Sequence, residues 1–131
     1  MASKLEKQVE NDILEFLLWY PGKFWKNNSV GVYDPIRKCY RKAKSKHIIN
    51  GVSDILGVMN GRFIAIEVKS AKGRLSESQK DFIHEVNQHG GIAFVAKSIQ
   101  DVKDNLEDEA KRYRSKTVQQ SLAQAKDLSE M

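Results

Sequence analysis

The stretch that most constrains this chain is residues 51–69, which read GVSDILGVMNGRFIAIEVK. Two apolar runs in it flank the dipeptide Asn60-Gly61. Asn-Gly between alternating apolar runs is the strongest short-range signal for a two-residue hairpin turn, because both turn residues tolerate a positive φ. The stretch therefore predicts two antiparallel strands whose register is fixed by the turn.

The predicted register places two acidic residues opposite each other. Counting outward from the turn gives the cross-strand pairs Met59–Arg62, Val58–Phe63, Leu56–Ala65 and Asp54–Glu67. Opposed residues share a sheet face with Cβ atoms about 4.5–5.5 Å apart, and like charges so placed destabilise the sheet. A divalent cation would offset this repulsion, since Mg²⁺ is usually held by one or two carboxylates with waters and phosphates. We therefore expect Asp54 and Glu67 to bind a metal ion.

Strand alternation adds a lysine to the acidic face. Alternate residues of a strand point to opposite faces, so Lys69 shares the face of Glu67. The other face carries the aliphatic residues Ile64, Ile66 and Val68. A metal-binding acidic pair beside an ammonium suits phosphodiester hydrolysis: the metal lowers the pKa of bound water, and the lysine positions the water or stabilises developing charge.

These residues resemble the PD-(D/E)xK nuclease superfamily, with Asp54 as the first acid and Glu67-Val68-Lys69 as the E-x-K element. Within the superfamily, two segments are similar to the VRR-NUC, or virus-type replication-repair nuclease, branch: Gly51-Val52-Ser53-Asp54 and Gly73-Arg74-Leu75-Ser76-x-x-Gln79. Ser53 stands where proline is usual in that family. The resemblance covers roughly residues 5–108 and implies a restriction-endonuclease-like α/β core.

The resemblance also implies the cofactor and the metal ligands. Mg²⁺ or Mn²⁺ would be held by Asp54, Glu67 and the Val68 carbonyl, and Lys69 would handle the attacking water. On the first predicted helix, Glu10 matches an additional metal or water contact of these nucleases. Glu6, one turn earlier, is the alternative.

Gln79 has two interpretations. The segment Ser76-Glu77-Ser78-Gln79 has the pattern of a capping box, in which Gln79 satisfies a backbone donor at the start of a helix. As the glutamine of the family motif, it would instead face the carboxylates and hold a metal-bound water or a phosphate.

Length, charge and cysteine content restrict the class of protein. A chain of 131 residues, 40% of them hydrophobic, is one domain by size. A formal charge of +5 favours an anionic partner, with nucleic acid the leading candidate. The single cysteine, Cys39, excludes an internal disulfide framework. No signal-peptide core and no run of about 18 apolar residues is present, so we expect a cytoplasmic protein without a membrane span.

A long basic excursion separates the first two predicted strands of the sheet. Residues 27–50 hold few regular apolar repeats, and long ordered loops tend to be functional. We expect phosphate contacts from its basic residues Arg37, Lys38, Arg41, Lys42, Lys44 and Lys46. A solvated disordered loop is the alternative. Further DNA contacts are expected outside the loop from Lys26, Lys72 and Arg74.

The remaining elements are predicted from apolar periodicity and from the turn and cap residues that bound each segment. An amphipathic helix is predicted over residues 5–20, a short strand over 23–26, a helix from Ser76, a buried strand over 92–96 and a helix from Ser98. The resulting order is α-β-β-β-α-β-α, a mixed sheet flanked by helices. We expect residues 1–114 to form the nuclease-like domain and residues 115–131 a frayed helix or disordered tail.

Together these features predict a metal-dependent DNA endonuclease. The resemblance implies structure-specific cleavage, and stand-alone viral members look similar to Holliday-junction resolvases that act as dimers. We therefore expect a homodimer acting on branched DNA in phage or viral replication, recombination or repair. The alternatives are a non-catalytic DNA-binding module that uses the basic loop 37–46, and a nuclease acting on RNA or flap substrates.

Overall fold

The structure, a computed structural model, describes residues 4–28, 32–41, 46–116 and 125–131. Its elements are α1 (Lys4–Leu17), β1 (Lys23–Lys26), β2 (Val32–Asp34), β3 (Cys39–Arg41), β4 (Ile55–Met59), β5 (Arg62–Val68), α2 (Glu77–Gln88), β6 (Ile92–Ala96) and α3 (Ile99–Arg114). Residues 125–130 are also helical. Across the described ranges, no helix has the length and apolar character that crossing a bilayer requires.

A mixed four-stranded sheet forms the centre of the fold, in the order β1-β4-β5-β6. The β4–β5 hairpin turns at Asn60 and Gly61, whose φ angles are 52° and 74°, the left-handed values that Asn-Gly tolerates. Met59 pairs with Arg62, so the predicted register is confirmed. β6 joins β5 in parallel through the α2 crossover, which gives the α/β class expected from the sequence.

The hydrophobic core lies on one face of this sheet, under α1 and α3. The aliphatic face of β5 packs there, and the fully buried members of the core include Ile13 of α1 and Leu106 of α3. α2 packs on the opposite face, against β5 and β6. That opposite face is the one that carries Glu67.

The helix boundaries follow the predicted caps, with one difference at α1. Ser76 caps α2 through a complete capping box, and the Ser98 side chain caps α3. α1 ends at Leu17, and a turn then carries the chain to Tyr20, which still buries its ring and lies 5.1 Å from Phe16 between ring centroids. The amphipathic pattern continues through this turn, so periodicity alone placed the helix end three residues too late.

The excursion over residues 27–50, predicted to be a loop, contains a small hairpin. β2 and β3 pair antiparallel as a separate two-stranded sheet. The Asp34 carboxylate accepts hydrogen bonds from the backbone N–H groups of Ile36 (2.9 Å) and Arg37 (3.2 Å), which fixes the turn. Strands of three residues are too short to show a periodicity, and only Asp34-Pro35, a common turn start, indicated them.

Side chains occupy part of the outer edge of β6. The Asn87 amide donates to the Ala93 carbonyl (2.9 Å) and accepts from the Ala93 N–H (2.8 Å). The backbone N–H of Lys97, the residue that follows β6, donates to the Asp101 carboxylate (2.8 Å). These contacts satisfy outward backbone groups that another strand would otherwise use.

A buried glutamate ties α3 to the hairpin turn. Glu109 is 3% exposed and accepts hydrogen bonds from Arg62 (2.7 Å), Asn60 (3.1 Å) and Arg112 (3.2 Å). The Asn60 amide also donates to the Glu109 carbonyl (2.8 Å). The hairpin is therefore anchored at its turn, and its open end is left to carry the acidic residues.

Candidate active site

The open end of the β4–β5 hairpin brings Asp54 and Glu67 together. Ile55 pairs with Ile66, and one further step along the same register sets Asp54 opposite Glu67. The Val68 N–H donates to Asp54 Oδ2 at 2.8 Å, which holds the first carboxylate against β5. Glu67 is 2% exposed. The hairpin geometry predicted from Asn60-Gly61 thus produces a close, largely buried acidic pair.

The protein environment changes the protonation of Glu67. Burial and, second, the Asp54 carboxylate raise the pKa of Glu67 from 4.5 to about 8, although the Lys69 ammonium opposes the rise. Burial penalises the charged form, and a neighbouring like charge penalises it further. Without a cation in the site, Glu67 therefore holds a proton at neutral pH.

Two side chains contact the same oxygen of Glu67. Lys69 Nζ lies 3.6 Å from Glu67 Oε1, and the lysine side chain is only 14% exposed. Gln79 Nε2 donates to that oxygen at 2.8 Å. The other end of the Gln79 amide accepts the Ser76 N–H (2.9 Å), and Ser76 Oγ accepts the Gln79 N–H (3.2 Å). Gln79 therefore completes the capping box and also faces the carboxylates, because the oxygen and the nitrogen of its amide make separate contacts.

The remaining oxygens fit a hard divalent cation. Glu67 Oε2 is buried and has no hydrogen-bond partner among the described residues, so one carboxylate oxygen is available for a ligand. The Lys69 N–H donates to the Ala96 carbonyl on β6, so the Val68 carbonyl of the same peptide points the other way, toward Asp54. No three His, Cys, Asp or Glu side chains converge as a metal site in the described ranges. A cation here would use two carboxylates, one carbonyl and waters, which suits Mg²⁺.

Glu10 is placed with Lys26 and apart from the contacts of Glu67. Glu10 is 8% exposed, and its Oε2 lies 3.4 Å from Lys26 Nζ. Lys26 pairs with Ile55, a core residue, so alternation puts Lys26 on the sheet face opposite Asp54. Glu6, the alternative, is half-buried one turn earlier on α1.

The predicted DNA contacts divide into described and undescribed residues. Lys42 and Lys44 lie outside the described residues, as does the side chain of Arg41. Arg37 lies 4.0 Å from the Asp34 carboxylate. The other described members are exposed: Lys38, Lys46, Lys72 and Arg74. The last two stand on the connection after Lys69, and Lys97 Nζ donates to the Ala71 carbonyl there (3.1 Å).

Two glycines of the motifs, Gly73 and Gly51, make close contacts near the site. A Cβ at Gly73 would lie 3.2 Å from both Cβ and Cδ of Lys69, so the Lys69 stem packs directly on the glycine. Gly51, at φ +79°, approaches α2 so closely that a Cβ would lie 2.3 Å from the Ser78 carbonyl. In the sequence, the only indication of these contacts is that each of the two motifs begins with a glycine.

A pocket elsewhere in the fold offers different chemistry. It has a volume of about 350 Å³ and lies between the end of α1 and the start of β1. Its lining contains one acid, Glu15, and one base, Lys23, among aliphatic and aromatic residues. Lys23 pairs with Val58 near the hairpin turn, so this pocket is at the other end of the sheet from Asp54. The paired carboxylates are therefore the better candidate for catalysis.

Comparison with known proteins assigns the chain to a family. The family profile of the VRR-NUC domain matches residues 2–100, a range that contains Asp54, Glu67, Lys69 and Gln79. Among curated proteins and solved structures, no significant match was found. The matched range spans most of the chain and includes α1, the whole sheet and α2. The chain therefore belongs to the VRR-NUC domain family, and membership implies nuclease activity on DNA.

Proposed function

We propose that this protein is an endonuclease that uses Mg²⁺ or Mn²⁺ to hydrolyse phosphodiester bonds in branched DNA. The observation that carries the proposal is the set of contacts at Glu67. One of its oxygens is held by Lys69 and Gln79, and the other is buried opposite Asp54 and accepts no hydrogen bond from the part of the chain that the structure describes. A sheet gains no stability from such a pair of carboxylates, whereas a cation-binding site requires it.

The residues divide the chemical tasks between them. Asp54, Glu67 Oε2 and the Val68 carbonyl would hold the ion, which when bound lowers the pKa of water and shields phosphate charge. Gln79 fixes the orientation of the Glu67 carboxylate through Oε1. Lys69, kept in place by Glu67 and Gly73, positions the attacking water and stabilises charge on the phosphate oxygens.

Protonation links this site to its cation. The pKa of Glu67 near 8 means that the carboxyl gives up a proton at neutral pH before both acids serve as ligands. Cation affinity should therefore rise with pH, and binding should release a proton. Glu10, held by Lys26 on the other sheet face, supports α1 in this scheme and contributes a ligand only if Lys26 releases it.

The proposed substrate is branched DNA, with a four-way junction as the leading form and flaps as the main alternative. A two-fold homodimer would place two sites to cut symmetry-related strands. Lys26, Lys72, Arg74 and the basic loop 37–46 would contact phosphates, in keeping with the net charge of +5. Residues 1–114 would act as the nuclease domain, with residues 115–131 as a tail, and the protein would act in the cytoplasm.

Lys69→Ala tests the proposal. The variant should lose cleavage of a labelled junction in Mg²⁺ and keep its affinity for the same DNA, because the lysine acts on the water and not on substrate binding. Lys80→Ala, an exposed α2 lysine paired with Glu77, is the matched control and should cut normally. Cleavage by Lys69→Ala at the parent rate would refute the role of the lysine.

A panel of linear, flap and junction substrates defines the specificity. Preference for the junction together with a dimer in sedimentation would support paired cutting. Monomer alone at micromolar concentration, with and without DNA, would refute it. Tight binding that is insensitive to EDTA, with no cleavage of any substrate, would instead favour the non-catalytic DNA-binding module.

A further inference from the structure

Within the described ranges, α2 covers only part of the sheet face that carries Glu67. α2 packs over β5 and β6, and on the β1–β4 side three large apolar side chains stay exposed. Trp25 is 44%, Val58 43% and Phe63 41% exposed, and none of them belongs to the core cluster. They are neighbours on the sheet, because Val58 pairs with Phe63 and Trp25 lies on the adjoining strand.

This apolar surface is continuous with the candidate active site. Trp25 pairs with Leu56, and Asp54 is two residues from Leu56 on the same face. Such diagonal neighbours lie about 7–8 Å apart. A phosphate bound at the Asp54–Glu67 pair would therefore have the Trp25 indole beside it on the same face.

The charges around Trp25 favour a nucleic acid as its partner over a second copy of this chain. Trp25 shares its sheet face with the exposed Lys23, two residues earlier on β1, whereas Lys26 pairs with Glu10 on the opposite face. Three half-exposed side chains also offer much less area than the roughly 800 Å² per partner that a stable interface buries. An exposed flat aromatic ring on a surface that also carries a cation is an arrangement with which proteins hold unpaired nucleotides.

We propose that Trp25 is a stacking platform for an unpaired nucleobase adjacent to the scissile phosphate, an inference that rests on the proposed nuclease function. Every base has a π face, so the contact is indifferent to sequence. A base inside a continuous duplex is paired and stacked on its neighbours and cannot reach the indole. Trp25 thus selects DNA in which the strand is open next to the cut.

Intrinsic fluorescence tests the stacking directly, since the chain has two tryptophans. Trp19→Phe leaves Trp25 as the sole reporter, and Trp25→Phe leaves Trp19, which is 91% exposed in the turn after α1. In EDTA, single-stranded oligothymidylate should quench Trp25 and leave Trp19 unchanged, and a blunt duplex should quench neither. Equal responses of the two reporters, or no response of Trp25, would overturn the proposal.

Affinity gives a second measurement with a matched control. Trp25→Leu keeps the apolar cover and removes the π face, and should weaken oligothymidylate binding by about 5- to 150-fold. Affinity for the blunt duplex should not change, and Trp19→Leu should bind both as the parent does. Trp25→Tyr should recover most of the lost affinity. An equal loss of affinity for single strand and duplex would mean that Trp25 stabilises the fold or the basic surface and does not stack on a base.

Cleavage in Mg²⁺ separates this inference from the proposed function. The parent should prefer a duplex with an unpaired bulge over a fully paired one, and Trp25→Leu should lose that preference. If the parent cuts neither DNA, the nuclease proposal fails while the fluorescence result still decides stacking. If Trp25→Leu keeps the parent's preference, stacking is refuted and the nuclease proposal stands. Trp25 emission that follows protein concentration and not DNA would assign the surface to a second copy.

Discussion

Replacing Glu67 by glutamine should change how stability depends on pH. In the metal-free protein, burial and the Asp54 charge raise the pKa of Glu67 to about 8, against 4.5 when exposed. Between these values the folded protein holds a proton that the unfolded chain has lost. Stability conferred by this protonated group is fully present below about pH 4.5 and is lost as pH rises through about 8.

One extra proton in the folded state corresponds to about 1.4 kcal/mol of unfolding free energy per pH unit. Raising the pH from about 5.5 to about 7.5 should therefore cost the parent about 2.5 kcal/mol through Glu67. For a domain of this size, that is on the order of 10 °C in Tm. The glutamine in Glu67→Gln cannot ionise, so this contribution disappears. The free energy of unfolding of the variant should therefore increase relative to that of the parent as pH rises.

Urea unfolding followed by circular dichroism in EDTA, at steps across this pH range, measures the difference. Glu77→Gln is the matched control, because Glu77 is an exposed α2 residue whose side chain is 86% accessible. Its curve should run parallel to that of the parent, since other titrating groups are common to both. Parallel curves for parent and Glu67→Gln would refute the reasoning, because they would show that Glu67 ionises normally in the folded protein.

Two further predictions concern the cation and the lysine. Asp54→Asn should be at least as stable as the parent in EDTA, because it removes the repulsion on Glu67. Added Mn²⁺ should stabilise this variant little. It should stabilise the parent by about 2.7 kcal/mol when free Mn²⁺ is a hundred times its dissociation constant. Thermal melts decide this, with exposed Asp81→Asn as control, and an equal Mn²⁺-induced rise for Asp54→Asn and parent would place the ion elsewhere. Gly73→Ala should slow cleavage about tenfold, since a methyl 3.2 Å from the Lys69 stem displaces the ammonium by a few tenths of an ångström. Its melting temperature should stay near that of the parent, and unchanged cleavage would show that Lys69 tolerates the shift.

Local sequence was sufficient where a turn or a cap fixed the geometry. Asn60-Gly61 determined the hairpin register, and Ser76 determined where α2 begins, because both act over a few residues. The β2–β3 hairpin was missed, since its strands have three residues each and show no usable alternation. The end of α1 was misplaced because the apolar pattern continues into the turn that holds Tyr20.

The site was predictable only along the hairpin. Alternation and register placed Asp54, Glu67 and Lys69 on one face. The contact of Gly73 with Lys69 depends on how the following connection folds back, which no local pattern encodes. The ion pair between Arg62 and Glu109 joins residues 47 positions apart, a separation over which no local pattern acts.

The side chains that occupy the outer edge of β6 limit how copies of this protein can assemble. Because Asn87 takes both backbone groups of Ala93, an incoming strand would have to displace an internal amide before it could pair there. The opposite edge, β1, begins and ends with lysine, a residue that sheet edges use to resist pairing. Copies that meet during synthesis at high local concentration are therefore protected from joining edge to edge into extended sheets. A dimer that leaves both edges of the main sheet unpaired could assemble and dissociate without remodelling the hairpin that carries the carboxylates.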